Sequence, residues 1–268
     1  MQKNSSINCE KVNEHIVNWL KNYAQTAGVK GFVVGISGGI DSALTSTLCA
    51  QTGFTTLCVE MPIHQAASHV SRAQEHIEQL KTRFENVSAT RVDLTPVFES
   101  FKSEIPLTND EGKYQISLAN SRARLRMTTL YYLAGIHGLL VAGTGNKVED
   151  FGVGFYTKYG DGGVDLSPIA DLMKSDVKAL AEYVKVPNSI LTAKPTDGLF
   201  GDDRSDEDQL GASYEELEFA MKSIENGKSE NDFSGREKEV FILYKRLNKT
   251  NQHKMNSIPV CFIPKEFM

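Results

Sequence analysis

The apolar positions of this chain fall into alternating helical and strand-like runs. Val12, Ile16, Trp19, Leu20 and Tyr23 recur near a helical period with Lys and Asn between them, which predicts a helix over 9–26. Asn8 stands where a cap is needed, and Gly28 and Gly31 lead out of the helix. A continuous apolar run follows, Phe32-Val33-Val34 with Ile36, and it breaks at Ser37-Gly38-Gly39 before a helix-compatible stretch through Leu48. Thr52-Gly53 ends that helix, and Phe54–Met61 predicts a second strand stopped by Pro62. Strand, helix and strand in quick succession make a βαβ unit, hence a right-handed crossover and a parallel sheet.

The later pattern keeps the alternation. A polar helix is expected over 65–82, a strand over 86–94 and a short helix opened by Thr95-Pro96. A polar loop covers 105–113, a long helix 114–137, and Leu139–Ala142 reads as a further strand after the turn at Gly138. Residues 152–166 are rich in glycine, aromatics and charge and keep neither period, which marks a working loop. Helices are expected at 175–184, 214–224 and 237–248, with 257–268 extended. The expectation is an α/β fold, a parallel sheet flanked by helices, as a single domain over 1–268.

Composition narrows the class. With 40% hydrophobic and 24% charged residues the chain is ordinary for a soluble globule, and a net charge of −5 gives no electrostatic case for nucleic-acid binding. No window approaches a membrane span, and the first residues hold no apolar segment of signal-peptide length. The cysteines at 9, 49, 58 and 261 form no Cys-x-x-Cys pair, so a cytoplasmic, reducing location is expected, with Cys49 and Cys58 as core residues. His64, His69 and His76 are spaced five and seven apart, wrong for one helical face. They read as solvated histidines, not a metal cluster.

The chemistry concentrates at VVGISGGIDS, Val33 to Ser42. A strand that turns through two glycines into a helix N-terminus presents unpaired N–H groups and partial positive charge, which suit a phosphate. Gly38 and Gly39 permit close approach, and Ser37 and Ser42 add donors. Asp41 would oppose a bare phosphate, so a cation between them is implied, most simply Mg²⁺. Thr144 follows the strand ending at Ala142, where a hydroxyl can reach a nucleotide, and Glu149 offers a second carboxylate for the same ion. Met61, at the second strand's end, reads as a buried gap-filler. Arg122 and Arg126 share a helix face and Arg124 points about 200° away. The three form a solvated face, or one of them addresses a substrate anion.

SGGIDS resembles the signature of the N-type ATP pyrophosphatases, whose loop holds the pyrophosphate of ATP while an acyl group is adenylated. FYTKYGDGGVDLSPIADLMK, with the TGN…E element before it, narrows the resemblance to the NAD⁺ synthetases. That resemblance covers about Val12 to Pro264, is dense at 35–42 and 120–196, and is sparse between Pro62 and Lys113. It implies a Rossmann-like fold of the adenine nucleotide alpha hydrolase type. It also implies a C–N ligase that amidates nicotinic acid adenine dinucleotide (deamido-NAD⁺) to NAD⁺ with ATP, Mg²⁺ and ammonia, through an acyl-adenylate. Residue by residue it implies that Gly35, Ile36, Ser37, Gly38, Gly39, Ile40, Asp41 and Ser42 cradle ATP together with Thr144, Lys174 and Thr196. Asp41 and Glu149 would hold Mg²⁺, and Arg124, Lys158, Asp165, His253 and Lys254 would contact deamido-NAD⁺. Asp41, Lys174 and Asp161 would be catalytic, Asp161 near the amide-forming centre. The acidic run 201–208 would belong to a lid. Glutamine use would need an additional amidohydrolase domain, so ammonia is expected as the nitrogen source, free or fed by a separate protein. A homodimer is implied, with Leu118, Leu125, Tyr132 and Leu133 of the long helix as apolar contact.

Overall fold

The computed structural model describes residues 7–65, 67–194 and 206–268. Thr196 and the acidic residues at 202 and 203 lie outside them. Four strands, β1 (Gly31–Gly35), β2 (Thr55–Glu60), β3 (Val87–Arg91) and β4 (Leu139–Val141), form a parallel sheet in the order β3-β2-β1-β4. Register runs Val33 to Leu57 and Val33 to Val141, which places β1 centrally. The expected α/β class with a parallel sheet is what forms.

Alternate residues of β1 enter two different cores, as the period of a strand requires. Phe32 and Val34 join Leu20, Leu44, Leu48 and Leu180 beneath α1 (Cys9–Ala27), α2 (Ile40–Gln51) and α6 (Lys174–Tyr183). Val33 faces the other way, into Phe98, Leu118 and Ala134 of α4 (Thr95–Glu104) and α5 (Glu111–His137). Coverage on both faces is why the strand reads as a continuous apolar run. A third cluster, Val148, Leu217, Val240 and Tyr244, packs α9 (Tyr214–Glu225) and α10 (Gly235–Met255) beside the sheet's carboxyl end. The short helices α7 (Asn188–Leu191) and α8 (Asp206–Leu210) complete the helical set described, with α3 (Ala67–Arg83) following β2.

Local signals act as expected at several ends. Asn8 Oδ1 accepts from Lys11 N–H at 3.0 Å, capping α1, and Gly28 closes that helix at φ +66°. Cys49 and Cys58 are core residues, 0% exposed. Four details differ from expectation. The long helix starts at Glu111, because Asp110 Oδ1 caps it through Lys113 N–H at 3.1 Å. The last helix continues to Met255, past the expected Asn248, its far end held by Asn251 Nδ2 donating to Val153 O at 2.8 Å. His76 is not solvated: it is 0% exposed, its Nε2 lies 2.9 Å from Ser46 Oγ, and burial, with Arg83 nearby, pushes its pKa down to about 4. The reason is that α3 packs on α2, and one face of any such helix must be covered. Leu118 is 2% exposed inside the protomer's own core, so it cannot supply contact to a second copy. Leu125 and Leu133 pack against the same core, whereas Tyr132 is 67% exposed.

Candidate active site

Ligands of parallel sheets collect at the strands' carboxyl ends, and here that end carries a cavity of about 590 Å³. Its floor is the turn between β1 and α2. Gly38 has φ +83°, and a Cβ there would stand 2.5 Å from His69 O of α3. Only glycine lets α3 seat against the loop. Arg72 Nε then donates to Gly38 O at 3.2 Å. The loop's own hydroxyls gather its donors: Gly39 N–H donates to Ser37 Oγ at 3.1 Å, and Ser37 N–H to Ser42 Oγ at 3.3 Å. These groups converge at a helix N-terminus, the arrangement that accepts anion oxygens.

Facing the loop is a buried charge cluster. Lys174, first residue of α6, donates from Nζ to Asp41 Oδ2 at 2.7 Å and to Glu149 Oε1 at 2.8 Å. Glu149 sits on a π-helical turn, Lys147–Val153, capped by Asn146, whose Oδ1 accepts from Glu149 N–H at 3.1 Å. Asn146 Nδ2 donates to Asp41 Oδ1 at 3.1 Å, so one asparagine fixes both carboxylates. π turns recur at functional sites because they redirect side chains. Tyr214 OH donates to Glu149 Oε1 at 2.5 Å, and Asp206 Oδ2 lies 3.3 Å from the same hydroxyl.

The electrostatics follow from two carboxylates sharing one ammonium. Burial pushes Asp41 up, more than Lys174 pulls it back. Burial also opposes ionisation of Glu149, but Lys174 and the hydrogen bonds from Lys174, Tyr214 and Asn146 hold it below the usual range. Lys174 stays protonated, since the carboxylates outweigh its own burial. Asp150 is raised well above the ordinary value by burial, then by Glu149, Asp161 and Asp41. Its carboxylate lies where a Cβ on Gly145 would be, 1.9 Å from Oδ2, so Gly145 makes room for it.

This donor set fits a magnesium ion. Mg²⁺ takes one or two carboxylates and completes its shell with water and phosphate. Asp41 and Glu149 already converge on a cation, Lys174 Nζ, opposite the anion-accepting loop. Among the described residues no group of three or more His, Cys, Asp or Glu is placed to hold a metal, so an all-protein cage is not what the geometry offers.

The expected nucleotide residues 35–42, Thr144, Glu149, Lys174 and Asp161 all line this one cavity, as does Met61, itself 7% exposed. Asp161 Oδ1 accepts from Thr157 N–H at 2.9 Å. The expected pyridine-nucleotide residues are not among those lining the cavity: Arg124, Lys158 and His253 are linked to one another, and Asp165 lies apart from them. Arg124 donates from Nε and Nη2 to Lys158 O, both at 3.3 Å, and Lys158 Nζ donates to His253 O. Lys254 Nζ donates to Gly154 O and Tyr156 O, each at 2.8 Å, pinning α10 to the glycine-rich loop. Asp165 bridges β4 and α5 through Val141 N–H at 2.8 Å and Tyr131 OH at 3.0 Å. The three arginines of α5 divide their tasks: Arg122 stacks on Phe98 at 4.4 Å, and Arg126 Nε donates to Met61 O at 3.0 Å on the cavity wall. Asn146, Asp150 and Tyr214 had no role in the sequence reading. Asn146 carried a signal, a cap residue three positions before Glu149; Tyr214 carried none, being 65 residues away from its partner.

A sequence profile described as NAD synthase matches residues 12–258. An NH₃-dependent NAD⁺ synthetase of Mesoplasma florum is 36% identical over 259 residues, covering 95% of this chain and 96% of the relative. Among solved structures, the NMN synthetase of Francisella tularensis superposes with TM-score 0.81 at 28% identity, over 97% of this chain and 100% of the other. The NH₃-dependent NAD synthetase of Campylobacter jejuni gives TM-score 0.76 at 24% identity, over 96% and 100%, a likeness of fold.

Proposed function

The chain belongs to the NAD synthase family, and from that premise we propose that it is a C–N ligase that amidates deamido-NAD⁺ to NAD⁺ with ATP and ammonia. The observation that supports this most is that the SGGIDS loop, with its own Asp41, meets Lys174 and Glu149 in one cavity. In the first step a carboxylate oxygen of the nicotinate ring attacks the α-phosphorus of ATP, the bond to the β-phosphate breaks, and pyrophosphate leaves. In the second, ammonia attacks the acyl carbon, the acyl–oxygen bond breaks, AMP leaves and one proton is released.

The chain's residues serve by position and charge. The loop 35–42 orients the phosphate chain, and Thr144 with Thr196 adds hydroxyls. Asp41 and Glu149 are the groups that would hold Mg²⁺, which when bound neutralises phosphate charge. Lys174, kept cationic, supports the departing pyrophosphate. Asp161 borders the acyl carbon's side of the cavity. Arg124, Lys158, Asp165, His253 and Lys254 receive the dinucleotide's far half. A homodimer built along α5, where Tyr132 and Ile136 are exposed, belongs to the proposal. So does one catalytic domain over 1–268 in the cytoplasm: the cysteines are free thiols, and no helix among the described residues is long and apolar enough to cross a membrane.

The Francisella NMN synthetase gives a second reading, in which the pyridine substrate is the mononucleotide and the product NMN. One end-point assay separates them: protein, ATP and Mg²⁺ with either nicotinic acid adenine dinucleotide or nicotinic acid mononucleotide, and either ammonium or glutamine. NAD⁺ with ammonium supports the first reading, NMN the second, and neither product discards both.

A further inference from the structure

We infer that Arg72 is a phosphate-binding residue of the nucleotide site, contributed by α3 rather than by the loop that carries the recognisable motif. The inference rests on the reading that the cavity takes ATP. Arg72 lines the cavity one turn after His69, the residue whose carbonyl packs against Gly38. Its Nε donates to Gly38 O at 3.2 Å, which fixes the guanidinium plane against the glycine turn. That bond uses one of five donors. Among the described residues no carboxylate pairs with Arg72, whereas Arg236 is paired with Glu216 and Lys174 with Asp41 and Glu149.

The chemistry of the remaining donors selects the ligand. A guanidinium held along one edge presents its outer N–H groups as a fork, and a fork suits two oxygens of a phosphate. The loop beside it offers backbone donors to the same anion, but its own charged side chain, Asp41, is negative and is paired with Lys174. Lys174 is held by two carboxylates, one of them the loop's own Asp41. Arg72 is a cation that contacts the glycine turn with no carboxylate partner among the described residues, placed to offset the charge of a polyphosphate. Its anchoring on Gly38 O also makes glycine at 38 doubly required: a side chain there would drive α3, and Arg72 with it, away from the loop. Sequence alone gives no hint, because Arg72 is one of several charged residues on a polar helix and nothing local sets it apart.

The test is calorimetric binding of ATP, pyrophosphate and adenosine, each with Mg²⁺ and without pyridine substrate, to wild type, Arg72→Gln and Arg72→Lys. Glutamine keeps a donor for Gly38 O and removes the charge; lysine keeps the charge and removes the fork. Loss of a charge-assisted contact predicts roughly ten- to a hundred-fold weaker ATP and pyrophosphate binding in Arg72→Gln. A smaller loss is expected in Arg72→Lys, with adenosine affinity and melting temperature unchanged in both. An equal loss for all three ligands, or none, overturns the assignment and leaves the enzyme reading intact. Wild type that binds neither ATP nor pyrophosphate overturns the nucleotide reading itself.

Discussion

Replacing Lys174 by Met tests the charge cluster most searchingly. The lysine side chain is 11% exposed and its partners Asp41 and Glu149 are 18% and 16% exposed. Methionine fills similar volume but leaves two largely buried carboxylates without their cation and facing one another. Removing one partner of a buried ion pair costs about 3–5 kcal/mol, chiefly as the penalty of the charge left behind. For a chain of this size that lowers the melting temperature by roughly 10 °C at pH 7. The deficit has a signature in pH. Without the ammonium, both carboxylates have folded pKa values above their unfolded ones. Such groups destabilise fully at neutral pH and cease to do so as pH falls to the unfolded carboxylate range near pH 4. Scanning calorimetry of wild type and Lys174→Met between pH 7 and 4.5 should show the two curves converging, and millimolar Mg²⁺ at pH 7 should narrow the gap by binding between the carboxylates. A variant within a degree of wild type at pH 7, or a gap independent of pH, would refute the reasoning.

Further outcomes follow from single contacts. Asp41→Asn should abolish turnover, by roughly 10³-fold or more, while circular dichroism stays native, because Asn can still accept from Asn146 Nδ2 but cannot hold a cation; an active variant removes the metal assignment. Gly38→Ala should lose ATP binding before it loses fold, since its φ of +83° costs about 1–2 kcal/mol for an L-residue and its Cβ meets His69 O, and an unaltered dissociation constant would contradict that. His76, depressed to about 4, is neutral when folded and protonated when unfolded between those pKa values, so stability is present above about pH 6.5 and lost as pH falls toward 4, by about 3 kcal/mol. Urea melts of His76→Gln should fall less steeply over that window, and parallel curves would exclude His76 as the cause. Arg124→Ala should raise KM for the pyridine substrate at least several-fold with KM for ATP unchanged, and equal effects on both would place it elsewhere.

How much of this was legible in the sequence depended on how local each signal is. SGGIDS announces a phosphate loop because the hydrogen bonds among Ser37, Gly39 and Ser42 all lie within six residues, and the apolar patterns of α1, α5 and β1 reflect burial that any packed segment must satisfy. His76 was misread because its burial depends on α2, 30 residues earlier, and nothing in a polar helix says which face is covered. Asp41, Glu149 and Lys174 were each named, but their ion pairing joins positions 133 and 25 residues apart and exists only once the sheet brings three loops together. Tyr214 and Arg72 carry no local signal at all. Leu118 shows the reverse error: an apolar residue on a long helix was assigned to an interface, and the protomer's own core claims it.

The central claim is that this cavity activates a pyridine carboxylate by adenylation. The direct measurement is to supply the acid substrate with both carboxylate oxygens labelled with ¹⁸O, together with ATP, Mg²⁺, ammonium and the protein, and to weigh the products by mass spectrometry. The account predicts one labelled oxygen in AMP and the other in the amide, with none in pyrophosphate. Label in inorganic phosphate, or an amide formed with unlabelled AMP, would contradict it.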